Sequence, residues 1–145
     1  MAASHFSGPV VSENGFQNGA GSTAVVAAAT TLTAADSGIT QYLNAAGGAA
    51  ITLPAPVAGM KFKFITQAAF ATTDWTIVTA AGANIIEGAI YETTNLIVVA
   101  SNEDTITLAA GFESVGDWIE LESDGTSWFA SGLFMLAGAC AFTAT

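Results

Sequence analysis

Between about Thr23 and Gly132 the chain is punctuated too often for helices. Apolar runs of four to six residues alternate with clusters of Gly, Asp, Asn, Ser and Pro, and no window keeps the i, i+3, i+4, i+7 apolar spacing of an amphipathic helix between caps. This pattern predicts strands at Thr30–Thr33, Ile39–Leu43, Ala50–Leu53, Lys61–Thr66, Trp75–Thr79, Asn84–Glu87, Ala89–Glu92, Leu96–Ala100, Thr105–Ala109, Trp118–Glu122 and Trp128–Ser131. The breakers are turn formers, among them Asp36-Ser37-Gly38, Gly47-Gly48, Pro54-Ala55-Pro56 and Asp124-Gly125. Turns this regular predict an all-β chain, an antiparallel β-sandwich of jelly-roll type. The alanine-rich stretch Ala24–Ala29 is the one competing helix. Its β-branched neighbours Thr23, Val25, Val26, Thr30 and Thr31 and the lack of a polar face argue against it.

Strand period assigns faces. In Trp118–Glu122 it sends Ile119 and Leu121 inward and Trp118, Glu120 and Glu122 outward; in Lys61–Thr66 it buries Phe62 and Phe64 and turns Lys61 and Lys63 to solvent. Two outward lysines and two outward glutamates predict that these strands are neighbours. The following Asp124-Gly125 marks a hairpin to Trp128.

Two regions divide the chain: residues 1–22, an extended N-terminal arm, and 23–145, the β body. The arm is rich in Gly, Asn and Ser, and its apolar residues Phe6, Val10, Val11 and Phe16 follow neither strand nor helix period. A segment with so little to bury is expected to lie on something other than itself. At the other end Leu133–Phe142 (LFMLAGACAF) is the longest apolar stretch, about half of the ~20 residues a membrane-spanning helix needs, so it reads as core or subunit interface. No charge follows Asp124.

Charge narrows the partners. Twelve acids against two lysines, with no arginine, give a net charge of −10 on 145 residues, so nucleic acid and anionic membrane are not expected partners. No basic residue precedes an apolar run at Met1–Gly8, which gives no support to a secretory signal. Catalytic chemistry finds little footing. His5, the sole histidine, lies in the arm, and Gly19-Ala20-Gly21-Ser22-Thr23 lacks the lysine of a phosphate loop. Glu120 with Glu122, and Glu103-Asp104, are paired carboxylates such as glycosidases use, but next to two lysines they read as cross-strand ion pairs. Cys140, the lone cysteine, sits among small apolar residues and reads as a buried hydrophobe. No cofactor or metal set is expected, beyond the chance of calcium in an acidic loop. Trp75, Trp118, Trp128, Tyr42 and Tyr91 could instead form a platform on which sugars stack.

The runs Leu32–Gly38 (LTAADSG), Ile51–Phe64 (ITLPAPVAGMKFKF) and Val115–Trp128 (VGDWIELESDGTSW) resemble the small β-rich head proteins of tailed bacteriophages. The opening Phe6-Ser7-Gly8-Pro9-Val10-Val11-Ser12 with Asn14-Gly15-Phe16 is similar to the N-terminal segments of phage virion proteins. The resemblance implies a non-enzymatic structural protein: a capsid decoration (cement) protein, often trimeric, made in the host cytoplasm and seated on the outer surface of the virion head. Its expected partners are the major capsid protein and copies of itself. On that reading Phe6, Pro9, Val10, Val11 and Phe16 belong to a capsid-binding arm, and Leu133, Phe134, Leu136 and Phe142 to a homotrimer interface. The alternative is a phage fibre or spike module that binds host glycans.

Overall fold

The computed structural model describes residues 23–93 and 96–144. Among the described residues twelve strands follow one another: β1 (Thr23–Val26), β2 (Thr30–Thr31), β3 (Thr40–Leu43), β4 (Ala50–Thr52), β5 (Lys61–Thr66), β6 (Trp75–Val78), β7 (Ile86–Glu92), β8 (Leu96–Glu103), β9 (Thr105–Leu108), β10 (Trp118–Ser123), β11 (Trp128–Phe134) and β12 (Cys140–Thr143). They form a seven-stranded sheet in the order β1-β3-β5-β10-β11-β7-β8 and a five-stranded sheet in the order β12-β9-β6-β4-β2. The two pack into the all-β sandwich that the punctuated sequence predicts.

Strand direction corrects the expected antiparallel, jelly-roll-like arrangement, because both sheets are mixed. The pairs β1–β3, β3–β5, β2–β4, β4–β6 and β7–β11 are parallel. From β1 to β6 the odd strands enter the large sheet and the even strands the small one, so the chain winds in flattened coils that place one strand in each sheet per turn. Parallel neighbours need a long crossover, and here the crossover is a strand of the facing sheet. Antiparallel pairing takes over in the second half, with β7–β8 and β10–β11 as hairpins, β10 closing onto β5, and β9 bridging β6 and β12.

Other differences are local. β1 and β12 are strands that the turn pattern does not predict; β1, rather than a helix, starts the alanine-rich stretch and pairs along β3. The two strands expected on either side of Gly88 are one, β7, which runs through that glycine at φ 120°. Residues 34–36 form a 3-10 turn whose start is capped by the Asp36 carboxylate, which accepts hydrogen bonds from the Thr33 N–H and hydroxyl, both at 2.8 Å.

The core lies between the sheets, where the inward positions of every long strand meet. Phe62, Phe64, Ile119, Leu121, Trp128, Ile86 and Ile90 of the large sheet face Ile51, Trp75, Ile77, Ile106 and Leu108 of the small one. Trp128 leans on Phe62 with ring centroids 5.6 Å apart and planes tilted by 51°, a favoured aromatic geometry. Cys140 is buried, and desolvation, with the Glu92 carboxylate beside it, pushes its thiol far above the usual range, as expected of an inert packing residue.

Candidate functional site

Two surfaces stand out, and both belong to the large sheet. The register carries across all seven strands, with one shift between Ile86 and Glu87 at the far end of the β7–β8 pair, so outward side chains line up in rows perpendicular to the strands. One row reads Val25, Tyr42, Ile65, Trp118, Leu133, Tyr91, Ile97, apolar from edge to edge. Val25, Leu133, Tyr91 and Ile97 are exposed, and Tyr42, Ile65 and Trp118 are half-buried. The adjacent row reads Thr23, Thr40, Lys63, Glu120, Ser131, Ala89, Val99. A shallow depression of about 190 Å³ opens there, lined by Thr40, Lys61, Lys63 and Glu120 among others. By contrast, the outer face of the small sheet presents short side chains, with Thr31, Thr52, Val78, Thr105 and Thr143 in one row.

The lysines and glutamates stand where their alternation predicts. Glu120 opposes Lys63 and Glu122 opposes Lys61, with N–O separations of 4.0 and 3.1 Å. Both pairs are exposed, which limits each to about 0–1 kcal/mol. The Lys63 ammonium also stands over the Trp118 ring, 4.5 Å from its centroid, a contact of about 0.5–1 kcal/mol at an exposed site. Glu120 and Glu122 are thus engaged with cations on an open face, rather than flanking a cleft.

The second surface is the end of the sandwich beyond this apolar row. Phe112 and Val115 in the segment before β10, Leu133 at the end of β11, and Met135 and Leu136 just after it are all exposed. The segments adjoin: a methyl placed on Gly116 would lie 3.8 Å from Met135 Cε, and one on Gly138 would lie 3.9 Å from Phe112 Cδ1. Their backbones are pinned by carboxylates. Asp117, 1% exposed, accepts from the N–H groups of Ser114 (2.8 Å) and Met135 (2.9 Å); Glu92, 3% exposed, accepts from Gly138 (2.7 Å) and Cys140 (2.8 Å). Glu113 accepts from Phe70 at 2.9 Å and Gly111 at 2.6 Å, and Asp74 accepts from Ala110 at 2.8 Å. Apolar side chains are therefore presented on loops whose backbones are anchored by carboxylates.

Sequence reasoning does not single out these carboxylates, although a signal is present. Glu92 shares the inward parity of Ile86 and Ile90, and Asp117 that of Ile119 and Leu121. An acid at a core-facing strand position needs hydrogen-bond donors, and loop N–H groups supply them.

Burial raises the Asp117 carboxyl above its ordinary 3.8, against the lowering by its two N–H donors, and the nearby Glu113 and Glu92 add to the rise. Its folded form holds the proton more tightly than the unfolded chain does. The stability it contributes is therefore fully present below 3.8 and is lost as the pH rises through the folded value. Asp124 behaves oppositely: N–H donors of Ser127 and Thr126, with the Thr126 hydroxyl, lower its pKa, so its contribution is present above 3.8 and lost on acidification. Relative to Asp117→Asn, which does not titrate there, the wild type should gain melting temperature as the pH falls toward 3.8, and relative to Asp124→Asn it should lose it. Melting curves at several pH values check both signs, and parallel profiles for Asp117→Asn and wild type would contradict the first.

The sequence-predicted residues separate on this frame. Trp75 and Trp128 are 0% exposed and belong to the core, leaving Tyr42, Trp118 and Tyr91 of the five aromatics on the outer face, all in one row. Leu133 and Leu136 lie on the apolar end, whereas Phe134 is buried in the chain's own core and Phe142 packs against it beside Ile106. Phe6, Pro9, Val10, Val11 and Phe16, the arm residues, fall outside the described residues, as does His5. Among the described residues no three His, Cys, Asp or Glu side chains come together as a metal site, and no helix is long and apolar enough to cross a membrane. Comparison with known proteins returns no matching family, no matching curated protein and no matching solved structure.

Proposed function

We propose that this is a structural virion protein, a decoration (cement) protein that binds the outer surface of a tailed-bacteriophage head and works as a homotrimer. The observation that carries the reading is the apolar end of the sandwich: Phe112, Val115, Leu133, Met135 and Leu136 exposed together on loops pinned by buried carboxylates. Contiguous exposed apolar side chains on a fixed backbone suit protein contact, because the ordering cost of the loops has been met before binding. Each side chain is already about half covered, so completing its burial contributes up to about 1.5 kcal/mol, half the full value for a large apolar residue. Leu133 and Leu136 are the interface residues in this proposal, and the arm with Phe6, Pro9, Val10, Val11 and Phe16 reaches the major capsid protein. The resemblance of the LPAPVAG and VGDWIELESDGTSW segments to phage head proteins points the same way.

Sedimentation equilibrium and co-sedimentation with purified heads lacking the protein test this together. The wild type is expected as a trimer that pellets with the heads. Leu136→Asp should dissociate it, and removal of residues 1–19 should abolish attachment while the body stays folded by circular dichroism. A wild-type monomer that stays in the supernatant would refute the proposal. One observation favours a fibre or spike module that binds host glycans: the rings of Tyr42, Trp118 and Tyr91 share the outer face of the large sheet.

A further inference from the structure

Those rings are evenly spaced. Tyr42, Trp118 and Tyr91 stand on alternate strands of one register row, β3, β10 and β7, with Ile65 of β5 and Leu133 of β11 between them. Neighbouring strands lie about 4.8 Å apart, so a ring recurs about every 9–10 Å along the row. In an extended sugar chain joined through equatorial bonds, each pyranose is turned over relative to the one before. The same apolar face then recurs at every second sugar, a period matched by alternate strands. Alongside runs the row of Thr40, Lys63, Glu120 and Ser131, whose polar side chains supply donors and acceptors for hydroxyl groups.

We infer that this face binds one chain of a neutral, unbranched, equatorially linked oligosaccharide laid across the strands, stacked on Tyr42, Trp118 and Tyr91. The inference rests on the glycan reading of the face, in which Leu133 stays open between Trp118 and Tyr91 instead of entering a homotrimer interface, and is independent of attachment to a head through the arm. Charge selects the neutral class: the chain carries −10, and both of its lysines are already paired with Glu120 and Glu122, so an acidic polysaccharide would be repelled. Twist selects a single chain. Successive strands rotate by about 20–25°, which a soluble oligosaccharide can follow and the flat face of a crystalline polymer cannot. The Lys63 ammonium over Trp118 is an exposed contact on a flexible stem, readily exchanged for a sugar face and a hydroxyl.

Tryptophan emission isolates the site, because Trp75 and Trp128 are fully buried and Trp118 alone of the three is not. Titration with cello-, chito- and xylo-oligosaccharides should give a saturable change with at least one, and malto-oligosaccharides of equal length should give none. By calorimetry Trp118→Ala should weaken binding about tenfold or more, the size of one stacking contact, and Trp118→Tyr should retain most of it. Tyr91→Ala should weaken a long ligand several-fold yet leave a disaccharide unaffected, while Val57→Ala, exposed in the connection between β4 and β5 and off the row, should bind as wild type. Binding confined to malto-oligosaccharides or acidic glycans would overturn this inference alone. A glycan array with no binder at all would overturn the glycan reading with it. Unchanged affinity in Trp118→Ala and Tyr42→Ala at wild-type melting temperature would also refute the assignment.

Discussion

Gly88→Ala is expected to destabilise the protein by more than about 4 kcal/mol, a large share of the roughly 5–15 kcal/mol that holds a domain together. Gly88 lies in the middle of β7 at φ 120°, a conformation that residues with a Cβ rarely adopt. Space is the larger obstacle. An added Cβ would sit 2.2 Å from the Ala130 carbonyl oxygen and 2.9 Å from the Ala130 nitrogen, both backbone atoms of the neighbouring strand β11 that cannot rotate away. Relief requires parting β7 from β11. Since β8 joins the sheet only through β7, that movement uncovers Ile86, Ile90 and Ala100 together. Far-ultraviolet circular dichroism with urea unfolding is the measurement, and a Gly88→Ala protein within about 1 kcal/mol of wild type would contradict the argument. Gly48 should behave alike, since its added Cβ would fall 2.1 Å from the Asp74 carbonyl oxygen.

Loss of the Glu92 carboxylate should have the next largest effect. Its two oxygens take up the N–H groups of Gly138 and Cys140, at the start of β12 and in the turn before it. Glu92→Ala leaves the N–H of buried Cys140 without an acceptor, at about 1–3 kcal/mol, whereas the N–H of exposed Gly138 can turn to water, so a loss of roughly 1–3 kcal/mol is expected. Glu92→Gln keeps one acceptor oxygen and should lose less. Cys140 provides a separate readout. In the wild type its thiol is buried and held protonated by desolvation and by Glu92. Freed from its anchor in Glu92→Ala, the turn should open and Cys140 should react with a thiol reagent under conditions where the wild type does not. Wild-type stability and a protected thiol in Glu92→Ala would show that the turn is held by other contacts. The same substitution should loosen Met135 and Leu136 and so weaken any attachment made through the apolar end.

Much of the sandwich is legible in the chain itself. Alternation within Lys61–Thr66 and Trp118–Ser123 sets the inward faces of Phe62, Phe64, Ile119 and Leu121, because side chains on a strand alternate strictly between its faces. The same alternation, with opposite charges on the outward positions, identifies β5 and β10 as neighbours although they are distant in sequence, and the structure pairs Lys61 with Glu122 and Lys63 with Glu120. Strand direction is not legible. A connection such as 44–49 or 67–74 can double back within a sheet or arch to the facing one, and its turn residues satisfy the backbone in either case. Only the packing of the two sheets decides between them, which is why the turn pattern from β1 to β6 predicts antiparallel strands where the structure has coils. Gly88 misleads for a related reason: an isolated glycine marks a break or a close approach, and here β11 makes it a close approach. The rows that define the candidate sites lie further out of reach. Tyr42, Trp118 and Tyr91 are far apart in sequence and become neighbours of one row only through four strand registers, each set by long-range hydrogen bonding. Composition likewise leaves open that Trp128 fills the core while Trp118 faces outward, a division settled by which strand face meets the opposing sheet.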